Sequence, residues 1–522
     1  MVQLHHTVKV MSKSRRAISL VVIALFALAA SALFVSEPVE GQKKTQTKKP
    51  VANDRKALAR KPATAGGLKA RLGEDDGFGA VVFFSADVHG NLEVCGCPIR
   101  PLGGVARRMG YINAFRNRSP GAATIQVDAG YIFSDDRDTE GKKLRADAEL
   151  MNNWIVKANE QLPIEVVNLS YRDLPYASTL LLASRTPGRA QFVGANIRAT
   201  SNAHISPLPY VIKTVTAKRL SSPVKIAFIG LTDVAPDEQQ KAAIEASGFT
   251  IDDPVARAKT VLEEVKDKAD VAVIVGYLKI TTANRIATQN DDLDVIIASD
   301  GRGLVPDPKQ VNNALILYAS KETKHLGELR LYTDSTGVVD KFTARYIELD
   351  DVIADDPLLG RTTLQARKEI NDVQAKLAEA EASAHKADGS SKWVASEKCA
   401  TCHQLEYDVW KKSRHAHAFA ALETKNRVFD SACVGCHSVG YKQDGFVNFK
   451  ATPQYANVHC ESCHGPGADH VKAPTAGNYK SPEVPATCIV CHDRDNSPDF
   501  IFDKYWPLIA HGTPASKKPV SK

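Results

Sequence analysis

Cys399-Ala-Thr-Cys402-His403, Cys433-Val-Gly-Cys436-His437, Cys460-Glu-Ser-Cys463-His464 and Cys488-Ile-Val-Cys491-His492 repeat one five-residue pattern in the last quarter of the chain. Cys-x-x-Cys-His is the attachment signal of c-type haem. Its two thiols add to the porphyrin vinyl groups, and the two-residue gap lets one turn of backbone span that edge. The histidine that follows is placed under the iron as its proximal ligand. Zinc ribbons also use Cys-x-x-Cys pairs. Zinc does not require a histidine directly after the second cysteine, however, and here all four copies have one. The pattern implies four covalently bound haem c groups, with His403, His437, His464 and His492 as proximal ligands.

The motif starts are separated by 34, 27 and 28 residues. That is too little chain to build a separate apolar core around each cofactor, so the macrocycles themselves are expected to be the core. Residues 393–522 are therefore read as a mostly α, haem-packed domain with sparse secondary structure. They hold nine of the chain's 15 histidines. Beyond the four proximal ones, His415, His470, His459, His417 and His511 are candidates for the sixth position of each iron. Five candidates for four places argue mostly bis-histidine irons, which favours electron transfer over small-ligand chemistry.

Working outward, residues 351–392 read as a helical connector, with an apolar stripe at Ile370, Val373, Leu377, Ala380 and Ala384 suited to one neighbouring surface. Between about residue 78 and residue 350, short β-rich runs alternate with amphipathic segments. Expected strands are Val81–Phe84, Thr124–Val127, Ile164–Val167, Lys225–Gly230, Val271–Val275, Val295–Ala298 and Leu315–Tyr318, with a helix over Pro254–Lys268 and a closing hairpin near Gly327–Asp340. That alternation argues a layered α/β domain.

The N-terminus carries Lys9, Lys13, Arg15 and Arg16, then an apolar run from Ala17 to Val35, with Ala30-Ser31-Ala32 as a small-residue cleavage pattern. Residues 1–35 are read as a signal peptide, the alternative being an uncleaved anchor that associates with a membrane through residues 17–35. An exported, periplasmic or otherwise extracytoplasmic location agrees with haem attachment. Residues 36–77 form a basic, disordered linker. The net charge of +7 comes from this end of the chain, because residues 1–72 hold 14 Lys/Arg against three acidic residues. Without interleaved aromatics the basic tract gives no argument for nucleic acid. Residues 393–522 hold 15 basic and 13 acidic residues. Eight haem propionates would bring this domain to about −6, which suits basic redox partners of unspecified identity.

The first expected strand runs into Asp87-Val88-His89-Gly90-Asn91, followed by Gly103-Gly104-Val105-Ala106-Arg107-Arg108. With Lys225-Ile-Ala-Phe-Ile-Gly-Leu-Thr-Asp233, this resembles the catalytic domain of periplasmic 5'-nucleotidases within the calcineurin-like metallophosphoesterases, over roughly residues 78–350. The resemblance implies a two-metal site that activates water against a phosphate ester. Asp87 and His89 match its first ligands. The bridging aspartate is replaced in Asp128-Ala129-Gly130-Tyr131, and the Gly-Asn-His-Glu loop reads Asn168-Leu-Ser-Tyr-Arg-Asp173. The next ligand histidine is Tyr277, and the last Gly-His-x-His reads Ser299-Asp300-Gly301-Arg302. The expectation is a hydrolase scaffold that has lost hydrolysis, with Asp87 and His89 either a vestigial metal site or plain turn chemistry. No catalytic residue is assigned. Cys95 and Cys97, next to this loop, are open to metal sharing, a disulfide or redox pair, or simple burial.

Trp393-Val-Ala-Ser-Glu-Lys-Cys399, Trp410-Lys-Lys-Ser413-Arg-His415-Ala416-His417 and Cys463-His464-Gly465-Pro466-Gly467-Ala-Asp-His470 resemble multihaem cytochromes of the cytochrome c-554 type, over about residues 393–495. By that resemblance His415 and His470 are the first distal ligands, His459 serves a neighbouring haem, and His417 and His511 compete for the fourth place. The expected function is an exported tetrahaem electron carrier with the nucleotidase-like domain as scaffold or docking module. The alternatives are a metal-dependent phosphoesterase with an accessory haem domain, or a multihaem reductase of small nitrogen compounds.

Overall fold

The structure, a computed structural model, describes residues 6–8, 67–95, 101–137, 143–177, 190–200, 206–301, 307–384, 391–475, 479, 482–493, 496–497 and 500–512. The apolar leader, most of the basic linker and Cys97 lie outside the described residues, as does the side chain of Cys95. Among the described residues no helix is long and apolar enough to cross a membrane. The chain packs as two compact units. The first comprises Met1–Val88, Arg107–Ile132 and Leu162–Asp355, and the second His89–Ala106, Phe133–Gln161 and Asp356–Lys522.

Two sheets lie face to face in the first unit. One runs in the order His6–Val8, Val339–Glu348, His325–Thr333, Ala80–Ser85, Ala123–Asp128, Val166–Asn168, Gln191–Val193. The other runs Lys309–Val311, Ala314–Tyr318, Val295–Ser299, Val271–Tyr277, Val224–Thr232, Tyr210–Val215. The Val/Ile/Phe runs are buried on both faces, which is why the inner strands pair in parallel and are covered on both sides. Val82, Phe84 and Val127 of one sheet meet Phe228, Val273 and Ile297 of the other in a shared core. The outer faces are closed by helices. Tyr111, Ile112 and Phe115 of Val105–Arg118 pack on Phe83, and Val261 and Ile286 of Pro254–Val265 and Ile280–Gln289 pack on Ile274.

All seven expected strands are present with ends shifted by a residue or two, and the closing hairpin is His325–Thr333 with Val339–Glu348. The helix expected over Pro254–Lys268 begins at Pro254, capped by Asp253 accepting from Ala256 N–H at 2.7 Å, but it stops at Val265. Its last expected residues turn back toward the sheet, where Asp270 accepts from Lys225 N–H at 2.7 Å.

One buried carboxylate of this unit is paired on every side. Glu328 has no exposure and receives Arg330 Nε at 2.6 Å, Arg345 Nε at 2.9 Å and Nη2 at 2.8 Å, and the Tyr111 hydroxyl at 2.7 Å. An uncompensated carboxylate there would cost several kcal/mol, so the network ties the closing hairpin to the helix above it.

The second unit is helical. Ala146–Gln161 packs along Pro357–Ala384, with Trp154 Nε1 donating to Glu369 at 3.1 Å and Gln374 Nε2 to Asp147 at 3.2 Å. The expected apolar stripe of the long helix is corrected. Its buried line is Ala366, Ile370, Gln374 and Ala378, whereas Val373 and Leu377 are half-buried and Ala380 is exposed. On that face Asp147 accepts from the Gln374 amide nitrogen, and the Asn448 side chain donates to the Ala378 carbonyl at 2.9 Å. A glutamine can therefore occupy a core position that hydropathy assigns to an apolar residue. From residue 393 onward, the described residues form only short helices and single turns, the longest being Gln404–Lys411. One small apolar cluster, including Trp393, Phe419, Val434, Phe446 and Tyr455, sits among them.

Candidate cofactor sites

Each Cys-x-x-Cys-His motif makes one helical turn. His403 N–H donates to the Cys399 carbonyl and His492 N–H to the Cys488 carbonyl, both at 2.9 Å, which brings each histidine one turn above its first cysteine. The second motif lies on Ser431–His437, capped by Asp430 accepting from Ala432 N–H at 3.1 Å. The third lies on Cys460–His464, where Ser462 and His459 cap each other's backbone. The intervening motif residue Glu461 is buried, and its carboxylate accepts from Val394, Ala395 and Gly467 N–H groups at 2.8–3.1 Å. It thereby ties the third motif to the start of the domain.

All eight motif cysteines are free of disulfides. Thiols of different motifs meet: Cys399 with Cys460, and Cys436 with Cys491. In each pair the proton shared between the sulfurs holds one thiol up and the other down, with Cys460 lowered to about 6 and Cys436 to about 7. Thioether formation would remove these titrations.

The histidines are arranged in facing pairs. Ring centroids of His403 and His470 are 6.2 Å apart at 32°, those of His415 and His492 are 6.0 Å apart at 42°, and those of His464 and His511 are 5.9 Å apart at 41°. Imidazole nitrogens bind metal at about 2 Å, and a ring centre lies about 1 Å behind its nitrogen, so two rings on opposite sides of one ion stand about 6 Å apart. All three separations match that requirement. Every pair joins one motif histidine to one outside the motifs. The residues present therefore fit haem, with the motif cysteines to attach it and these imidazoles to ligate it.

His437 differs. Its Nδ1–H donates to the Ala418 carbonyl at 2.6 Å, which fixes the tautomer and leaves Nε2 as the ligating nitrogen. Among the described residues no second imidazole is paired with it. His459 is spent on the protein: Nε2 donates to the Ala456 carbonyl at 2.6 Å, and Nδ1 accepts from Ser396 N–H at 3.2 Å, while the ring lies 5.2 Å from Trp410. Burial holds its pKa below the ordinary value, so the neutral ring is the state that fits these bonds. His417 is exposed.

Around the second motif, Arg367 and Arg427 both reach the carboxylate of Glu93, and Arg427 also reaches Asp430 at 2.8 Å. Burial and the neighbouring Arg427 charge lower the Arg367 pKa to about 10. Ring contacts also surround the pairs, and the sequence carried no signal for them. Tyr479 stacks on His464 and His470, and Phe500 lies 4.5 Å from His492 at 12°.

In the first unit, Asp87, Asp128, Asn168, Tyr277 and Ser299 sit at or just beyond the carboxyl ends of their strands. Asp87 takes φ +51 and accepts a hydrogen bond from Ser299 Oγ. Burial raises its pKa to about 7, and the nearby Asp128 and Asp173 carboxylates push the same way. Asp128 is fully buried and accepts from Ser85 Oγ at 2.5 Å and Gly130 N–H at 2.9 Å, while Arg108 Nη1 donates to the same Ser85 oxygen at 2.6 Å. Asp173 is used up on the Tyr131, Ile132 and Ser170 N–H groups at 2.7–3.0 Å. Tyr277 packs between Tyr131 at 5.7 Å and Tyr171 at 5.6 Å, and Arg172 lies over Tyr131. A guanidinium and three phenol rings thus stand where the resemblance places imidazole and carboxylate donors. This donor set does not fit a two-metal centre. His89 belongs to the second unit, where its Nε2 lies 3.3 Å from Asp135 Oδ1, with Asp136 close by.

Residues 398–465 match the family described as Cytochrome c554 and c-prime. Cytochrome c-554 of Nitrosomonas europaea is 32% identical over 108 residues, which are 17% of this chain and 46% of that protein. The metallophosphoesterase YunD of Bacillus subtilis is 29% identical over 128 residues, 24% of this chain and 26% of that protein. The chain thus spans less than half the length of either relative. A crystal structure of the calcineurin-like phosphoesterase YfkN from Bacillus subtilis aligns with a TM-score of 0.45 at 18% identity, covering 57% of this chain and 99% of that one. The chain joins a C-terminal segment of the cytochrome c-554 type to an N-terminal α/β domain similar to the metallophosphoesterase YunD.

Proposed function

We propose that the protein is an exported c-type cytochrome that carries electrons outside the cytoplasm on four covalently bound haems. In this reading the metallophosphoesterase-like domain is a scaffold or docking module without hydrolase activity. The observation that carries it is the set of three facing imidazole pairs, each spaced for one iron. His470, His415 and His511 are the distal ligands opposite His403, His492 and His464. Haem iron so held supplies a one-electron couple. The chain's own residues would close both axial faces of these three irons, and the interleaved histidine pairs keep the sites adjacent, as a short electron wire requires. His417 is a surface residue, and His459 caps the third motif helix through Ser462 while its ring is held by Ser396 and the Ala456 carbonyl.

A second reading rests on His437. With no paired imidazole among the described residues, its iron would keep a face open to a small ligand, as a reductase of small nitrogen compounds needs. The phosphoesterase reading is disfavoured by the donor set around Asp87.

Absorption and EPR spectra of the purified holoprotein, with a pyridine haemochrome count, test these readings together. Four haems, wholly low-spin and indifferent to cyanide and nitrite, support transfer alone. A high-spin quarter that binds them supports the second reading. Zinc or no tetrapyrrole in the mature chain refutes both. Turnover of a phosphodiester with added Mn²⁺ refutes the scaffold role.

A further inference from the structure

Tyr479 is the one described side chain that stacks on the axial imidazoles of two different sites. Its ring lies 5.1 Å from that of His470 at 21°, and 5.7 Å from that of His464 at 13°. Its hydroxyl donates to the carbonyl of Gly465, the residue directly after His464. Gly465 takes φ +84 and ends the third motif helix, a backbone state that favours glycine. The phenol is thus anchored at one end and in contact with a histidine on either side. Rings run in file from His403 through His470, Tyr479 and His464 to His511. The His415–His492 pair has a separate neighbour, Phe500, which stacks on His492 alone among these histidines.

An axial imidazole is free to rotate about its metal–nitrogen bond unless something outside the coordination sphere stops it. The angle between the two imidazole planes of a low-spin ferric haem sets the splitting of the iron's dπ orbitals, which share its single unpaired electron, and so the g-anisotropy of its EPR signal. A ring that packs flat on two such imidazoles fixes both angles at once. We propose that Tyr479 is a positioning residue that locks the ligand planes of His470 and His464, and so couples the geometry of the first and third haem sites. The proposal rests on the haem reading above.

The test is EPR of the oxidised holoprotein with Tyr479→Leu and Tyr479→Phe. Y479L removes the ring and is expected to shift the signals of the His403/His470 and His464/His511 sites, leaving that of His415/His492 in place. Y479F keeps the ring but frees it from Gly465, and is expected to shift the same two signals by less. Should Y479L fail to hold haem, Y479F decides the matter alone by the same criterion. The proposal is overturned if no signal moves, if only one of the two moves, or if the His415/His492 signal moves with them. Failure of the underlying haem reading is recognised separately, as a wild-type protein whose haemochrome count is zero.

Discussion

The two units solve the problem of a core in opposite ways. In the first, two sheets bury Val82, Phe84, Phe228, Val273 and their neighbours against one another, and the buried Glu328 is fully paired. In the second, residues 393–512 bury one small cluster around Trp393 and Phe446, while Leu405, Ile489, Val490 and Leu508 stay exposed. Apolar burial of that size cannot offset the conformational entropy of ordering more than a hundred residues. The first unit is therefore self-sufficient, and the last segment of the second needs its cofactors as structural material.

The largest expected effect breaks the comparison at that point. Protein with all eight motif cysteines changed to serine should lose the short helices from residue 393 onward, because the free energy of cofactor binding is there the free energy of folding. Limited proteolysis should remove that segment while the sheet domain survives. A protease-resistant C-terminal segment without haem would contradict the contrast.

Next in size is the first unit's buried ion network. Glu328→Gln leaves Arg345 without its paired carboxylate and Arg330 with Asp76 alone, and should lower stability by about 3–5 kcal/mol in a denaturant melt of the sheet domain. The haem spectra should not change.

Asp87 gives a smaller effect with a definite sign. Burial pushes its carboxyl up from the ordinary carboxylate range to about 7, so the neutral acid is the form the fold prefers. The associated stability is complete below the unfolded pKa and is lost as pH rises through about 7, by up to about 4 kcal/mol. Melts of the sheet domain at rising pH should show the fall, and Asp87→Asn should flatten it.

The distal histidines sharpen the comparison at the smallest scale. His511→Ala should turn about a quarter of the ferric iron high-spin. His417→Ala should leave the spectra unchanged, since His417 stands exposed and its neighbour His415 makes the pair.

Much of the sheet domain was legible because its strands are runs of β-branched residues long enough to declare themselves, as at Val271–Tyr277. The four haem motifs were legible because attachment chemistry demands a fixed local spacing. The candidate distal histidines were legible from composition only as a pool of five, and the resemblance alone put His415 and His470 first. Which of them faces which motif depends on how separate stretches fold together, and the ring that faces His464 lies at His511, at the end of the described chain. Gln374 hid in a buried line because its partner Asp147 is more than two hundred residues away. Tyr479 carried no pattern at all, since a ring that packs on two histidines looks in sequence like any loop tyrosine.

The facing histidines are also interleaved along the chain. His403 waits for His470, His415 for His492, and His464 for His511. A polypeptide that crosses a membrane with its N-terminus leading can attach its first cofactor early, yet it completes no axial pair until residue 470 has emerged. On the proposed reading, the pairs would close only as residues 470, 492 and 511 emerge in turn, and a chain cut short before residue 470 would leave every motif histidine without its facing ring.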